Sequence, residues 1–307
     1  MKIIFLDAST LGATSLKPIE ALGDLTCYPY SSPSEALERV RDAEVLIINK
    51  VKVTAALMDA APKLKLICEA ATGVNNIDLE AAAERGIPVK NVAGYSTDSV
   101  VQLTFALILN LLCRTARYDD YVKSGAYSAS PIFTEVSQPF MELAGKTMGI
   151  VGMGTIGQRV AKAAEAFGMK VIYFSTSGTS HCTEYPSVGI DTLMKESDIV
   201  SIHAPLNART QGLIKERELA LMRPSAVVIN IGRGGIVDEK ALADAISAER
   251  IAGAGLDVFT SEPLPQGNPL LHTSHPERLS FTPHIGWASK EALDRLVQGI
   301  AANIRGI

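Results

Sequence analysis

Residues 147–168, TMGIVGMGTIGQRVAKAAEAFG, decide how this chain of 307 residues folds. The opening TMGIV is a short apolar run of the kind that fills a buried strand, and QRVAKAAEAFG is amphipathic at helical spacing. Between them Gly152, Gly154 and Gly157 form a GxGxxG string. Such a string also occurs in ordinary turns, but here it follows a strand, opens a helix and is succeeded by a second strand, GMKVIYF. In that setting Gly152 permits the tight turn, Gly154 lets the backbone approach a pyrophosphate, and Gly157 lets helix and strand pack closely. Met153, Thr155 and Ile156 complete the turn, and the N–H groups opening the helix point at an anion.

Outward from this unit the same alternation recurs. DIVSIH, AVVIN, IAGAGLDV and LSFTPH continue the series toward the C-terminus, and KIIFLD, LTCYPY, VLIINK, LKLICEAA and PVKNVA precede it. Strands alternating with helix-favouring segments argue for parallel sheets with crossover helices. A chain of 307 residues exceeds the usual size of one core, so two α/β domains are expected. The apolar helix from about Asp98 to Arg117 bridges them, and the amphipathic ASKEALDRLVQGIAANI after His284 belongs to no strand of the second series. It is expected to return to the first domain, which gives 1–99 with 286–307 as one domain and 100–285 as the other.

Composition excludes several classes. Twenty-nine basic and 33 acidic residues leave a net charge of −4, scattered without a patch, so neither nucleic acid nor an anionic membrane is indicated as a partner. Cys27, Cys68, Cys113 and Cys182 are far apart and suggest buried free thiols in a reducing cytoplasm. The apolar stretch Val101 to Leu112 is too short to span a membrane. His272 and His275 have ligand-like spacing but no further histidine or cysteine nearby, so no metal is expected.

Three polar residues each follow a strand-like run: Arg233 in INIGRGGIVDE, Glu262 in GLDVFTSEP and His284 in TPHIGWAS. Singly, each reads as readily as an ordinary surface or structural residue. Together they converge on the strand ends where open α/β sheets bind ligands. A permanently charged planar guanidinium suits a carboxylate and its neighbouring carbonyl oxygen, and an imidazole paired with a carboxylate suits proton transfer. GMKVIYF runs into Ser175-Thr176-Ser177, where a dinucleotide fold usually carries an acid on the adenosine ribose. Losing that acid removes repulsion toward a 2′-phosphate, yet no arginine adjoins the hydroxyls in sequence, so NAD(H) and NADP(H) both remain open.

The stretches ATGVNNIDLEAAAERGIPV, GYSTDSVVQLTFAL, LAGKTMGIVGMGTIGQRVA, INIGRGGIVDEKAL, GAGLDVFTSEPL and TPHIGWAS resemble, over essentially the whole length, the D-isomer-specific 2-hydroxyacid dehydrogenases. GYSTDSV and the tryptophan of HIGWAS look most like the glycerate dehydrogenase, or hydroxypyruvate reductase, branch. The resemblance implies a Rossmann domain inserted into a flavodoxin-like substrate domain, a homodimer, and a small 2-hydroxy or 2-keto acid substrate. It makes His284 the acid/base, Glu262 its orienting partner and Arg233 the substrate clamp. Thr72 and Gly73 would hold the substrate carboxylate, and Asp257 would bind the nicotinamide carboxamide. His203, Ala204, Pro205, Thr210, Ile231, Gly232 and Gly286, with Ser175 and Thr176, would line the cofactor. The rival from another class is a non-catalytic, NAD(H)-sensing regulatory protein on the same scaffold, which fold alone does not separate from an enzyme. A hydride enzyme for amino acids or phosphorylated acids is less favoured, since no added basic cluster is present.

Overall fold

The computed structural model describes residues 1–307. The apolar runs become eleven short strands: β1 (Lys2–Phe5), β2 (Asp24–Cys27), β3 (Val45–Ile48), β4 (Leu66–Glu69), β5 (Val89–Lys90), β6 (Thr147–Val151), β7 (Lys170–Phe174), β8 (Ile199–Ile202), β9 (Val227–Asn230), β10 (Gly253–Leu256) and β11 (Leu279–Phe281). Four helices fall among the first five strands: α1 (Lys17–Glu20), α2 (Pro33–Arg39), α3 (Ala55–Asp59) and α4 (Leu79–Glu84). Then come α5 (Thr97–Cys113), α6 (Thr115–Lys123), α7 (Thr155–Ala166), α8 (Ile190–Glu196), α9 (Glu216–Leu221), α10 (Glu239–Ser247) and α11 (Lys290–Arg305). The single long helix expected over residues 98–117 is instead two. Arg114 adopts the left-handed conformation, φ 51°, and separates α5 from α6 without a glycine or proline to announce it. No single helix is long and apolar enough to cross a membrane.

The chain forms two compact units, Met1–Ser96 with Trp287–Ile307, and Thr97–Gly286. In the first, five parallel strands take the order β2-β1-β3-β4-β5. One face packs Ile3, Phe5, Ile47 and Leu66 against Leu296 and Ile300 of α11; the other packs Ile4, Leu46 and Ile67 against α2, α3 and α4. Strand order reverses between β1 and β3, and there the buried Asp7 carboxylate accepts the N–H groups of Asn49, Lys50 and Val51 at 2.6–3.1 Å. Burial pushes the Asp7 carboxyl above its ordinary range, and these donors pull it back. Beside it, Glu69 at the end of β4 is fully buried. Its Oε2 accepts from Asn76 Nδ2 at 3.0 Å, while its Oε1 and the Oδ1 of Asn49 are buried without partners. Burial pushes the Glu69 carboxyl up to about 9, so it is neutral at physiological pH.

In the second unit six parallel strands take the order β11-β10-β9-β8-β6-β7. The order turns at β6, which is paired with both β7 and β8. That reversal is where a doubly wound sheet opens a crevice at its carboxyl edge, and the glycine loop leaves β6 at this edge. α5 buries Phe105, Leu107 and Ile108 in this unit's core.

Candidate active site

The glycine loop is built by contacts that exclude side chains. Gly152 takes φ 94°, and a Cβ there would stand 3.0 Å from the Ala204 backbone. A Cβ on Gly157 would lie 2.2 Å from the Gly152 carbonyl oxygen, so only glycine lets α7 start so close to the turn. Gly154, by contrast, faces open space, and no side chain caps the start of α7. The first N–H groups of the helix and its positive dipole end are therefore open to an anion, which fits a dinucleotide pyrophosphate. Across from the loop, His203 continues β8. Burial pushes its imidazole down to about 4, so it is neutral; Nε2 meets Ser201 Oγ at 2.8 Å and Nδ1 is buried without a partner. Thr210 is buried and its hydroxyl is used within the loop, donating to the Pro205 carbonyl at 2.6 Å and accepting the Asn207 N–H at 2.9 Å. It shapes the loop rather than presenting a hydroxyl outward.

Arg233, Glu262 and His284 follow β9, β10 and β11, three neighbouring strands, and the loops bearing them are stitched together. Asn230, buried at the end of β9, donates to the Arg233 carbonyl at 2.9 Å and accepts the Gly232 N–H at 3.1 Å. The guanidinium donates to the Gly232 carbonyl at 2.8 Å. A Cβ on Gly234 would fall 1.9 Å from the Phe259 carbonyl oxygen, so the arginine turn lies directly on the Glu262 loop. Glu262 in turn accepts the Phe259 N–H through Oε1 at 2.9 Å and meets His284 Nδ1 through Oε2 at 2.7 Å. An ionised carboxylate only accepts, so with Glu262 ionised the proton of that bond sits on Nδ1.

His284 has φ 55°, a conformation that side-chain-bearing residues rarely adopt. Asp257, buried at the end of β10, holds it there. Its Oδ1 accepts the Thr282 hydroxyl at 2.6 Å and the Ile285 N–H at 2.8 Å, and its Oδ2 accepts the Gly286 N–H at 2.8 Å. The His284 N–H donates to the Asp257 carbonyl at 2.8 Å. Gly286 is required by the same packing, since a Cβ would stand 2.9 Å from Asp257 Oδ2 and 3.0 Å from Ile231. Burial raises the Asp257 carboxyl above its usual range against the pull of these donors.

The profile of the D-isomer specific 2-hydroxyacid dehydrogenase NAD binding domain matches residues 105–286. The chain belongs to the D-isomer-specific 2-hydroxyacid dehydrogenases. This dehydrogenase is 35% identical to a hydroxypyruvate reductase of Blautia hydrogenotrophica, over 99% of its own length and 95% of the relative's. It is 37% identical to a glycerate dehydrogenase of Methylorubrum extorquens, over 99% and 96%. Among solved structures, an acyclic imino acid reductase in complex with NADPH and D-Arg superposes with a TM-score of 0.85 at 31% identity, covering all of this dehydrogenase and 96% of that chain.

Thr72 and Gly73 lie in the first unit, after β4. The Thr72 hydroxyl donates to the Val92 carbonyl at 3.2 Å, and the Thr72 carbonyl accepts from Asn91 at 2.5 Å. Ser175 and Thr176 follow β7, as expected. One residue escaped the sequence reading: Arg209, 34 positions beyond Ser175, folds back so that its Nη1 donates to the Ser177 carbonyl at 2.5 Å. His272 and His275 have separate partners, the Gln266 carbonyl for the first and Glu249 and Glu277 for the second.

Proposed function

We propose that the dehydrogenase reversibly reduces a small 2-keto acid to its D-2-hydroxy acid, with hydroxypyruvate or glyoxylate as the leading substrates. When bound, the nicotinamide dinucleotide supplies the hydride. His284 passes the proton between Nε2 and the substrate oxygen, and Glu262 keeps the ring in the tautomer this needs. Arg233 clamps the carboxylate and draws electron density from the keto oxygen, where charge develops. Asp257 has three of its roughly four acceptor positions occupied, which leaves one for the carboxamide N–H of the nicotinamide. His203, Ala204 and Pro205 flank the nucleotide.

The observation that carries this reading is the 2.7 Å His284–Glu262 bond beside the arginine turn, downstream of the glycine cradle. The names of the hydroxypyruvate reductase and glycerate dehydrogenase relatives support the substrate class. The imino acid reductase neighbour makes imines the competing substrates. Steady-state oxidation of NADH and NADPH with glyoxylate, hydroxypyruvate, pyruvate, phenylpyruvate and a cyclic and an acyclic imine separates these. Arg233→Ala is expected to lower kcat/KM for the keto acid by roughly 100-fold or more, in line with loss of a charge-stabilising donor. Near-native kinetics for that variant would refute the assignment.

We also propose a homodimer. Ile132, Phe133, Val136 and Phe140, on the segment after α6, are 59–86% exposed, a concentration of apolar surface that a second copy would cover. A solution mass near the single-chain 32.7 kDa at micromolar concentration would exclude it.

A further inference from the structure

The turn after β7 carries the hydroxyls of Ser175, Thr176 and Ser177 and receives the Arg209 guanidinium on its Ser177 backbone carbonyl. Ser175 Oγ and Ser177 Oγ lie 3.1 Å apart, and both donate to the same acceptor, the Thr179 carbonyl, at 2.7 and 2.9 Å. One carbonyl serving two hydroxyls leaves either free to turn toward a better acceptor at little cost. Gly178, φ 81°, closes the turn, and a Cβ there would lie 3.1 Å from Arg209 Nη1. The guanidinium therefore rests on the one residue of the turn that carries no side chain. It comes from the loop after β8, stapled by Thr210 and by the Arg209 N–H to Asn207 Oδ1 bond at 2.9 Å. Of its five donors only one is used, on the Ser177 carbonyl, and no carboxylate is paired with it.

A guanidinium fork with spare donors beside a hydroxyl-bearing turn, with no carboxylate paired to it, is the chemistry of a phosphate monoester site. We propose that Arg209, with Ser175, Thr176 and Ser177, binds the 2′-phosphate of NADP(H), so that the dehydrogenase prefers it over NAD(H). This rests on the reading above that the Gly152–Gly157 loop holds a dinucleotide. A pyrophosphate at the start of α7 brings the adenosine ribose toward the end of the neighbouring strand β7, which is where the hydroxyl turn begins. An acid at position 175, usual in NAD-selective folds, would bind the ribose hydroxyls and repel a phosphate; serine does neither.

The test is equilibrium binding of NADPH, NADH and the two corresponding nicotinamide-free ADP-riboses, with and without the 2′-phosphate, followed by calorimetry on the purified protein. The native protein is expected to bind each 2′-phosphorylated ligand at least tenfold more tightly than its partner. Arg209→Ala should weaken the phosphorylated ligands roughly 10- to 100-fold, the loss typical of a hydrogen bond to a charged group. The NADH isotherm should move less than threefold. Ser175→Asp should reverse the preference. The preference should also fade below about pH 6, where a phosphate monoester loses its second charge. Equal affinities in the native protein, or an Arg209→Ala loss shared equally by both ligand series, would overturn the proposal. If neither dinucleotide binds, the glycine-loop reading fails as well, and that outcome is distinct from NADH binding alone.

Discussion

Replacing Asp257 by asparagine changes one atom and asks whether the carboxylate holds His284 in place. Three donors converge on its two oxygens: Thr282 hydroxyl and Ile285 N–H on Oδ1, Gly286 N–H on Oδ2. An amide has only one oxygen, so its best orientation keeps the first two and turns its own N–H₂ toward Gly286. One buried N–H is then left unsatisfied, which costs about 1–3 kcal/mol, and the two surviving bonds lose their charge assistance, about 1 kcal/mol each. The loop conformation therefore loses about 3–5 kcal/mol. Holding a histidine at positive φ itself costs about 1–3 kcal/mol, so the margin that keeps His284 beside Glu262 is removed. We expect kcat/KM for the keto acid to fall roughly 100-fold or more and the melting temperature to drop. Asp257→Ala, which abandons all three donors, should be worse on both counts. The assay is saturating-nucleotide kinetics together with thermal unfolding. An Asp257→Asn protein with kcat and KM within threefold of native and an unshifted melting temperature would refute the argument.

Two further changes address the remaining buried devices. Gly157→Ala sets a methyl 2.2 Å from a backbone oxygen that cannot swing away. It should cost at least about 2 kcal/mol, roughly 4–8 °C in thermal unfolding of a domain this size, and abolish nucleotide binding measured by calorimetry. Glu69 is protonated in the folded chain up to about pH 9 but ionised above about pH 4.3 when unfolded. Between those values the unfolded state binds fewer protons, so its contribution falls as pH rises and is flat above the folded value. Glu69→Gln, neutral throughout, should match the native protein near pH 4.5 and be the more stable of the two at pH 8–9; parallel melting curves across that range would contradict a buried neutral acid.

The strands were legible because parallel sheets buried on both faces need continuous apolar runs, and runs such as VLII and VVIN have no other use. The glycine loop and the trio at the strand ends were legible for a related reason: the spacing of turn glycines and the position just past a strand are both one-dimensional facts. Arg209 was not. Its place beside Ser177 is created by the separate folding of two loops, and a lone arginine in APLNART carries no periodic or positional signal. The positive φ of His284 was equally hidden, because it is imposed by Asp257, a residue that sequence motif reading had given only a cofactor role. Arg114 breaks the long helix in a sequence, LLCRTARY, without a local breaker.

The membership of α11 in the first unit bears on how the chain is made. One apolar face of the first sheet, with Ile3, Phe5, Ile47 and Leu66, is covered by Leu296, Val297, Ile300 and Ile304. Those residues leave the ribosome only after the 190 residues Thr97–Gly286 have been synthesised. At about 5–20 residues per second that is a wait of roughly 10–40 s. The contiguous second unit can meanwhile complete its own core. The first unit, although translated first, finishes folding last, and during the interval its uncovered sheet face is a natural client for holding chaperones.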